Sequence, residues 1–233
     1  MGRWTIAFDA DDTLWHNDRL FRLTEARFAE LLADHAEDPD LRGRLLAAER
    51  RNLGIYGFGV KGFVLSMIET AIEVTEARVP AAVIAELLAR GREMLAHPID
   101  LLPHAREAVG AAAAHGEVIL VTKGDLLDQE RKLAQSGLGE LFDAVEIVSD
   151  KTAAVYARLF ARHGSARSMM VGDSLRSDVI PAIEAGAWGV HVPQGPGWVL
   201  EAADPPSDHP RFHVLADLGG LAGLVAAIDA AGA

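Results

Sequence analysis

The pattern of hydrophobic and polar positions divides the chain into an alternating part and a helical part. Residues 3–8 form a short apolar run, and from residue 103 onward helical stretches alternate with further short apolar runs. Helices are predicted over residues 103–115, 125–136, 152–163 and 218–230, with another helical stretch ending near Gly186. Strands are predicted over residues 118–121, 144–148, 168–171 and 188–192. This alternation is typical of a parallel sheet that is covered by helices on both faces.

The region between the first strand and residue 103 has a different pattern, with no convincing strand and four apolar helical stripes. The clearest stripe runs over residues 60–72 with the i, i+3, i+4, i+7 spacing of an amphipathic helix. We therefore expect a doubly wound, Rossmann-like α/β domain over residues 1–15 and 100–233, with an all-helical cap domain inserted over residues 16–99. Both crossings lie at the carboxyl end of the first strand, where open sheets bind ligands, so the insert should lie over the site as a lid.

Composition narrows the range of partners. The 34 acidic and 22 basic residues give a net charge of −12, which opposes binding to nucleic acid or to anionic lipid. The absence of cysteine excludes disulfides, thiolate metal sites and a cysteine nucleophile, and it fits a reducing compartment. No segment approaches the roughly 18 apolar residues that span a bilayer, and no export signal is visible. We expect a cytoplasmic protein.

Three carboxylates follow the first strand within four positions, at Asp9, Asp11 and Asp12. Carboxyl groups this close repel each other, and the arrangement is stable only if a cation neutralises them or one of them stays protonated. Asp12 alone is better explained as a cap of the helix that follows. Asp9 and Asp11 are therefore the candidates for chemistry.

A second acidic cluster follows the predicted strand at residues 168–171. Gly172 and Asp173 come directly after this strand, and Asp178 lies five residues further on. Two strand ends thus deliver carboxylate oxygens to the same edge of the sheet. Hard oxygen ligands without nearby Cys or His suit Mg²⁺ better than zinc. Asp178 has an alternative role as the cap of the next helix.

Two further strand ends carry complementary groups. Thr122 follows the strand at residues 118–121, and Lys151 comes shortly after the strand at residues 144–148. A hydroxyl donor, a fixed cation and Mg²⁺ are what a transferring phosphoryl group requires to spread its charge. A lysine is disfavoured at the start of a helix, which argues that Lys151 has an anionic partner.

Four features of the chain resemble, in the same order, the four motifs of the haloacid dehalogenase-like (HAD) hydrolase superfamily. They are the segment DADDT at residues 9–13, Thr122, Lys151 and the segment GDSLRSD at residues 172–178. The resemblance covers essentially the whole chain, because the helical insert resembles the cap domain of that superfamily. It implies a Mg²⁺-dependent phosphatase that acts on a small phosphorylated metabolite.

The resemblance also implies a role for each motif residue. Asp9 would be the nucleophile that becomes an aspartyl-phosphate, and Asp11 would protonate the leaving oxygen and later activate water. Thr122 and Lys151 would bind the phosphoryl oxygens. The Asp9 carboxylate, the Asp11 backbone carbonyl and Asp173 would hold Mg²⁺, with Asp178 further out or bound through water.

Four other residues are candidates for substrate binding. Lys123 and Gly124 directly follow Thr122. Tyr56 and Phe58 lie in the glycine-rich segment at residues 54–59, and Lys61 lies just after it. A cap loop at this position could reach the leaving group of the substrate. This segment is interpreted as a turn between cap helices, and an aromatic turn packed inside the cap is an equally good explanation for it.

Three other functions are alternatives to the phosphatase. Haloacid dehalogenases of the superfamily use no metal and lack the second aspartate of the first motif, so Asp11 and Asp173 argue against them. Sugar-phosphate mutases differ only in the fate of the intermediate. A phosphate-sensing module resembling a receiver domain would be about half this length and would have no helical insert. Neither the substrate nor the oligomeric state follows from the sequence.

Overall fold

The computed structural model describes residues 3–164 and 167–231, and in this part of the chain six strands form one parallel sheet. The strands are β1 (Trp4–Phe8), β2 (Gly116–Lys123), β3 (Ala144–Val148), β4 (Arg167–Gly172), β5 (Trp188–His191) and β6 (Phe212–Val214). Their order in the sheet is β3-β2-β1-β4-β5-β6, so the direction of winding reverses at β1. In open α/β sheets such a switch point is where ligands bind, at the carboxyl ends of the strands. The predicted α/β fold class is confirmed.

The described residues contain nine α-helices. They are α1 (Asp18–Leu32), α2 (Leu41–Tyr56), α3 (Val60–Val74), α4 (Ala81–Ala96), α5 (Ala105–Ala112), α6 (Leu126–Ser136), α7 (Ala153–His163), α8 (Ile180–Glu184) and α9 (Leu221–Ala230). A single π-helical turn at Leu175–Val179 leads into α8, and a short 3₁₀ helix lies at Val199–Glu201.

Each face of the sheet is covered by its own hydrophobic core. Alternate residues of β1 point to opposite faces, with Ile6 and Phe8 in one core and Ala7 in the other. The first core includes side chains from α5 and α9, and the second includes Tyr156 and Phe160 from α7. Because both faces are covered, β1 is buried along its whole length, and its carboxyl end opens directly into the polar site.

The chain divides into two compact units. One consists of Met1–His16, Ile99–Lys123 and Gln129–Ala233, and the other of Asn17–Pro98 and Gly124–Asp128. The second unit has its own core, to which α1, α2, α3 and α4 all contribute. The largest fully buried side chains of this core are Phe28, Leu32, Leu45, Met67 and Leu87. No helix in the described ranges combines the length and apolarity that crossing a membrane requires.

One local prediction is wrong, and a second is only partly right. Asp12 does not cap the next helix, because α1 begins only at Asp18, with Asn17 at the N-cap position, and Asp12 lies in a turn with φ of 59°. The glycine-rich segment is only partly a turn, because α2 continues through Gly54 to Tyr56. The turn itself begins at Gly57, whose φ of 74° favours glycine.

Candidate active site

The carboxyl end of β1 places Asp9 in a buried position between two other strands. Its backbone N–H donates to the carbonyl of Val171, 2.9 Å away at the end of β4. Oδ2 of Asp9 accepts a hydrogen bond of 3.1 Å from the hydroxyl of Thr13. The same hydroxyl accepts a bond of 3.0 Å from the backbone N–H of Asp173. Thr13 therefore ties the first acidic segment to the second.

Three carboxylates meet at this point. Asp9, Asp173 and Asp178 each offer an oxygen, and these oxygens all lie within 4.8 Å of one another. Asp9 and Asp178 are buried, and Asp173 is partly exposed. The sequence motifs thus converge as two strand ends of a parallel sheet should, and the arrangement matches the ligand chemistry of a hard divalent cation.

Asp178 reaches this cluster because of the local backbone. The π-helical turn has N–H groups of both Asp178 and Val179 bonded to the carbonyl of Ser174, at 3.0 and 3.2 Å. The backbone N–H of Ser174 donates to Oδ2 of Asp178 at 3.0 Å. Gly172 is necessary for this packing, because a Cβ at that position would lie 2.3 Å from Oδ2 of Asp178.

Lys151 is the cation inside the cluster. Its ammonium donates to Oδ1 of Asp178 at 2.7 Å and also to Oδ1 of Asp9. Burial alone would lower the pKa of Lys151, but the two carboxylates outweigh burial and hold its pKa well above the usual value. The position of Lys151 at the start of α7 predicts an anionic partner. The structure provides two, Asp9 and Asp178.

The site still has an excess of negative charge. Burial is the main cause that raises the pKa of Asp9 to about 7, with repulsion from Asp178 adding to it against the attraction of Lys151. Burial, followed by repulsion from Asp9 and Asp178, also raises the pKa of Asp173 well above its usual value. Among the residues that the structure describes, no lysine or arginine forms a salt bridge with Asp173. A divalent cation would relieve this repulsion, so the donor set fits Mg²⁺.

The side chain of Asp11 faces α6. Lys132 donates to both of its carboxylate oxygens, at 2.8 and 3.0 Å. Trp15 Nε1 donates to Oδ1 at 2.7 Å and Gln129 Nε2 to Oδ2 at 3.0 Å. Burial opposes ionisation of this carboxyl, but Lys132 and these hydrogen bonds outweigh it and lower the pKa of Asp11. In this arrangement Asp11 is a carboxylate.

Thr122, the last but one residue of β2, shares a partner with Asp11. Its hydroxyl donates to Oε1 of Gln129 at 3.2 Å, while the amide nitrogen of the same Gln129 bonds Asp11. Since the Asp11 carboxylate accepts from the amide nitrogen, the amide oxygen must face Thr122. The Gln129 side chain of α6 thus orients both the Thr122 hydroxyl and the Asp11 carboxylate.

The remaining predicted site residues have other partners in the structure. The ammonium of Lys123 donates to Glu201 at 2.5 Å and to the Ser177 hydroxyl at 2.6 Å. Gly124 has φ of 131°, in the region that favours glycine. In the second unit, the Tyr56 hydroxyl donates to Glu69 at 2.6 Å, and the Lys61 ammonium donates to Asp125 at 3.0 Å.

The sequence pattern does not reveal three of the residues that orient the candidate groups. They are Gln129, Lys132 and Glu201. A buried Gln and a buried Lys one turn apart on α6 are visible only once the buried face of the helix is known. Glu201 lies in a Pro/Gly-rich stretch that resembles an ordinary surface loop in the sequence.

A Rossmann-like α/β fold with an acidic cluster at the carboxyl edge of its sheet defines the class of the protein. The sequence profile of the haloacid dehalogenase-like hydrolases matches residues 5–186, and the chain belongs to this family. The predicted superfamily is therefore confirmed. In the structure of a haloacid dehalogenase-like family hydrolase from Xanthomonas campestris, 43% of residues are identical, over 98% of this chain and 92% of that one, with a TM-score of 0.87.

More distant structures share the fold at low identity. The magnesium-bound HAD-hydrolase YfnB from Bacillus subtilis is 18% identical over 97% of this chain and 99% of its own, with a TM-score of 0.64. The L-2-haloacid dehalogenase from Xanthobacter autotrophicus, solved with chloropropionic acid covalently bound, is 19% identical over 95% of this chain and 98% of its own, with a TM-score of 0.63. No curated protein matches the chain in sequence.

Proposed function

We propose that this protein is a Mg²⁺-dependent phosphatase that hydrolyses the phosphate monoester of a small metabolite through an aspartyl-phosphate on Asp9. The observation that carries the proposal is the group of three carboxylates around one point, with oxygens within 4.8 Å and with Lys151 bonded to two of them. A dehalogenase, which needs no metal, has no use for this excess of negative charge.

The residues that would hold Mg²⁺ are the Asp9 carboxylate, the Asp11 backbone carbonyl and Asp173, with Asp178 further out or bound through a water. When bound, the ion supplies positive charge that draws the substrate phosphoryl group toward Asp9 and offsets its negative charge. The bound magnesium in YfnB, a protein with the same fold, supports this assignment.

In the first step, a carboxylate oxygen of Asp9 attacks phosphorus in line, and the bond from phosphorus to the leaving oxygen breaks. Lys151 stabilises the phosphoryl oxygens by its charge, and Thr122 does so through its hydroxyl once that hydroxyl turns away from Gln129. Asp11 gives its proton to the leaving oxygen. For this it must bind a proton, so its carboxyl has to turn away from Lys132.

In the second step, water attacks phosphorus, the bond between phosphorus and Asp9 breaks, and inorganic phosphate leaves. Asp11 accepts the proton of the attacking water. The structure shows Asp11 as a carboxylate with a lowered pKa, and this state supports its role as the base. Thus Lys132 favours the form of Asp11 that the second step requires.

Four further residues would bind the substrate. Lys123 and Gly124 would shape the phosphoryl pocket next to Thr122, with Lys123 held in place by Glu201. Tyr56 and Lys61 would contribute to recognition of the leaving group. Replacing Lys61 by Met should then raise KM for an anionic substrate and leave kcat unchanged.

The test measures phosphate release from a panel of sugar phosphates, nucleotides, phosphoglycolate-like acids and p-nitrophenyl phosphate, with Mg²⁺ and with a chelator. We expect turnover only with Mg²⁺, and we expect Asp173→Ala to raise the Mg²⁺ concentration required. An unchanged metal requirement in Asp173→Ala would contradict its role as a ligand.

Three results would replace the proposal by another function. Metal-independent chloride release from 2-chloropropionate would indicate a dehalogenase. Isomerisation of a sugar phosphate without phosphate release would indicate a mutase. Binding of phosphate without turnover of any ester would indicate a sensing module.

A further inference from the structure

Glu201 is a partly buried acid that takes no part in the two chemical steps of the proposed mechanism. It lies at the end of the 3₁₀ helix Val199–Glu201, 28 positions after Asp173 in the sequence, yet its carboxylate meets the loop that carries the metal-site acids. Oε2 accepts a bond of 2.6 Å from the Ser174 hydroxyl and another from the Ser177 hydroxyl. Oε1 accepts the bond of 2.5 Å from Lys123.

The two serines connect Glu201 to the acidic cluster. Ser174 lies directly after Asp173, and its backbone N–H fixes the Asp178 carboxylate at 3.0 Å. Ser177 lies directly before Asp178, and its own N–H donates to the Ser174 hydroxyl at 3.0 Å. Both serine hydroxyls therefore have definite donor and acceptor roles, which fixes the π-helical turn between the two acids.

A second contact joins the π-helical turn to the 3₁₀ helix that carries Glu201. Arg176 within the turn donates to the carbonyl of Leu200 at 2.8 Å, next to Glu201. The pKa of Glu201 is lowered because Lys123 and the hydrogen bonds outweigh its burial. The Lys123 and Glu201 side chains are only 15% and 17% exposed, so desolvation limits what this ion pair contributes to stability.

We propose that Glu201 is a positioning residue for the metal site, acting through Ser174 and Ser177 to hold Asp173 and Asp178 in the geometry that binds Mg²⁺. The inference rests on the proposed function only in taking Mg²⁺ as the ion of this site. Loss of residues that orient metal ligands typically weakens metal affinity by about 10- to 100-fold.

The experiment compares two double variants that differ only in the hydrogen-bond acceptor offered to the serines. Lys123→Met with Glu201→Gln removes both charges and keeps an amide oxygen for the serine hydroxyls. Lys123→Met with Glu201→Leu removes the same charges and leaves no acceptor. Both variants have the net charge of the wild type, so long-range electrostatics cannot explain a difference between them.

Mg²⁺ binding is measured by calorimetry on the full chain, without substrate, together with Mn²⁺ binding by electron paramagnetic resonance. Circular dichroism and thermal unfolding check that both variants are folded. We expect the glutamine variant to bind near the wild-type level and the leucine variant to bind about 10-fold more weakly. A second pair, Ser174→Ala and Ser177→Ala in the wild-type background, should each weaken binding while leaving Lys123 and Glu201 paired.

Equal Mg²⁺ affinity in the two folded double variants would overturn the role of Glu201, as would unchanged affinity in both serine variants. If the leucine variant does not fold, the serine variants decide the question alone. If the wild type binds Mg²⁺ but releases phosphate from no ester, the proposed function fails and the affinity comparison still tests Glu201. A wild type that binds neither metal would overturn both.

Discussion

The Lys151 ammonium lies 2.7 Å from Oδ1 of Asp178, and both side chains are about 1% exposed. Asp9, the proposed nucleophile, is the second carboxylate on the same ammonium. Removing one partner of a buried ion pair leaves an uncompensated charge, which typically costs about 3–5 kcal/mol. Lys151 therefore supports both the fold and the reactive geometry.

We expect Lys151→Met to lower the free energy of unfolding by about 3 kcal/mol, measured by urea denaturation, because Asp9 and Asp178 lose their shared cation. Adding Asp178→Asn should restore part of the loss. The control is Lys61→Met, since the exposed pair of Lys61 with Asp125 should contribute less than about 1 kcal/mol. Equal losses at the two lysines would contradict the assigned difference between a buried and an exposed pair.

Asp9→Asn should reduce kcat by about a thousandfold or more while the protein stays folded, because an amide is a poor nucleophile of nearly the same shape. Phosphate release and circular dichroism measure the two effects. Asp12→Asn is the matched control: the residue lies nearby at φ of 59°, a conformation that asparagine tolerates, and its activity should stay near the wild-type level. Substantial turnover by Asp9→Asn would mean that another group attacks phosphorus.

Gly172→Ala should displace Asp178, because the new Cβ would lie 2.6 Å from the Cβ of Asp178 as well as close to its carboxylate. We expect a loss of about 1–3 kcal/mol in unfolding free energy and a higher Mg²⁺ requirement. Gly110→Ala in α5 has open space around the added methyl group and should stabilise the protein by roughly 0.5–1 kcal/mol. A Gly172→Ala variant as stable as Gly110→Ala would show that Asp178 is not confined as the structure indicates.

Glu49 in α2 gives the second unit a pH dependence. Burial, with repulsion from Glu25, raises its pKa from 4.5 to about 7 in the folded state. The folded state thus binds more protons than the unfolded state between these values, so the contribution is complete below pH 4.5 and is lost as the pH rises through 7. Relative to Glu49→Gln, which does not titrate, the wild type should lose about 2 kcal/mol between pH 5 and pH 8.

Urea denaturation of both proteins across this pH range measures that difference. Comparing the two proteins cancels the contributions of Asp9 and Asp173, which titrate in both. Parallel stability curves for wild type and Glu49→Gln would show that Glu49 is ionised in the folded protein at neutral pH.

Much of the α/β fold follows from local pattern. β3 (Ala144–Val148) begins and ends where the apolar run does, and α7 begins directly after Thr152, whose side chain accepts from Val155 N–H at 3.3 Å as an N-cap. β6 (Phe212–Val214) was not predicted, because three residues at a sheet edge give too short an alternation to detect. β2 extends to Lys123, so Thr122 belongs to the strand rather than to the turn after it.

The candidate site likewise contains some residues that the sequence reveals and others that it does not. Asp9, Asp173 and Lys151 are recognisable in the sequence because each follows an apolar strand, and strand ends of a parallel sheet share one edge. Gln129, Lys132 and Glu201 have no such marker, since their roles depend on which side of a helix or loop faces the sheet. The side-chain direction of Asp11, toward Lys132, is likewise a product of tertiary packing.

Lys151 and Asp9 are 142 positions apart in the sequence, and Lys151 and Asp178 approach the cluster from different strands. Closing such long loops costs entropy before the contacts offset it. We therefore expect the reactive centre to form late in folding, once β1, β3 and β4 are in register. Activity recovered after refolding should then report the completed sheet rather than any single helix or hairpin.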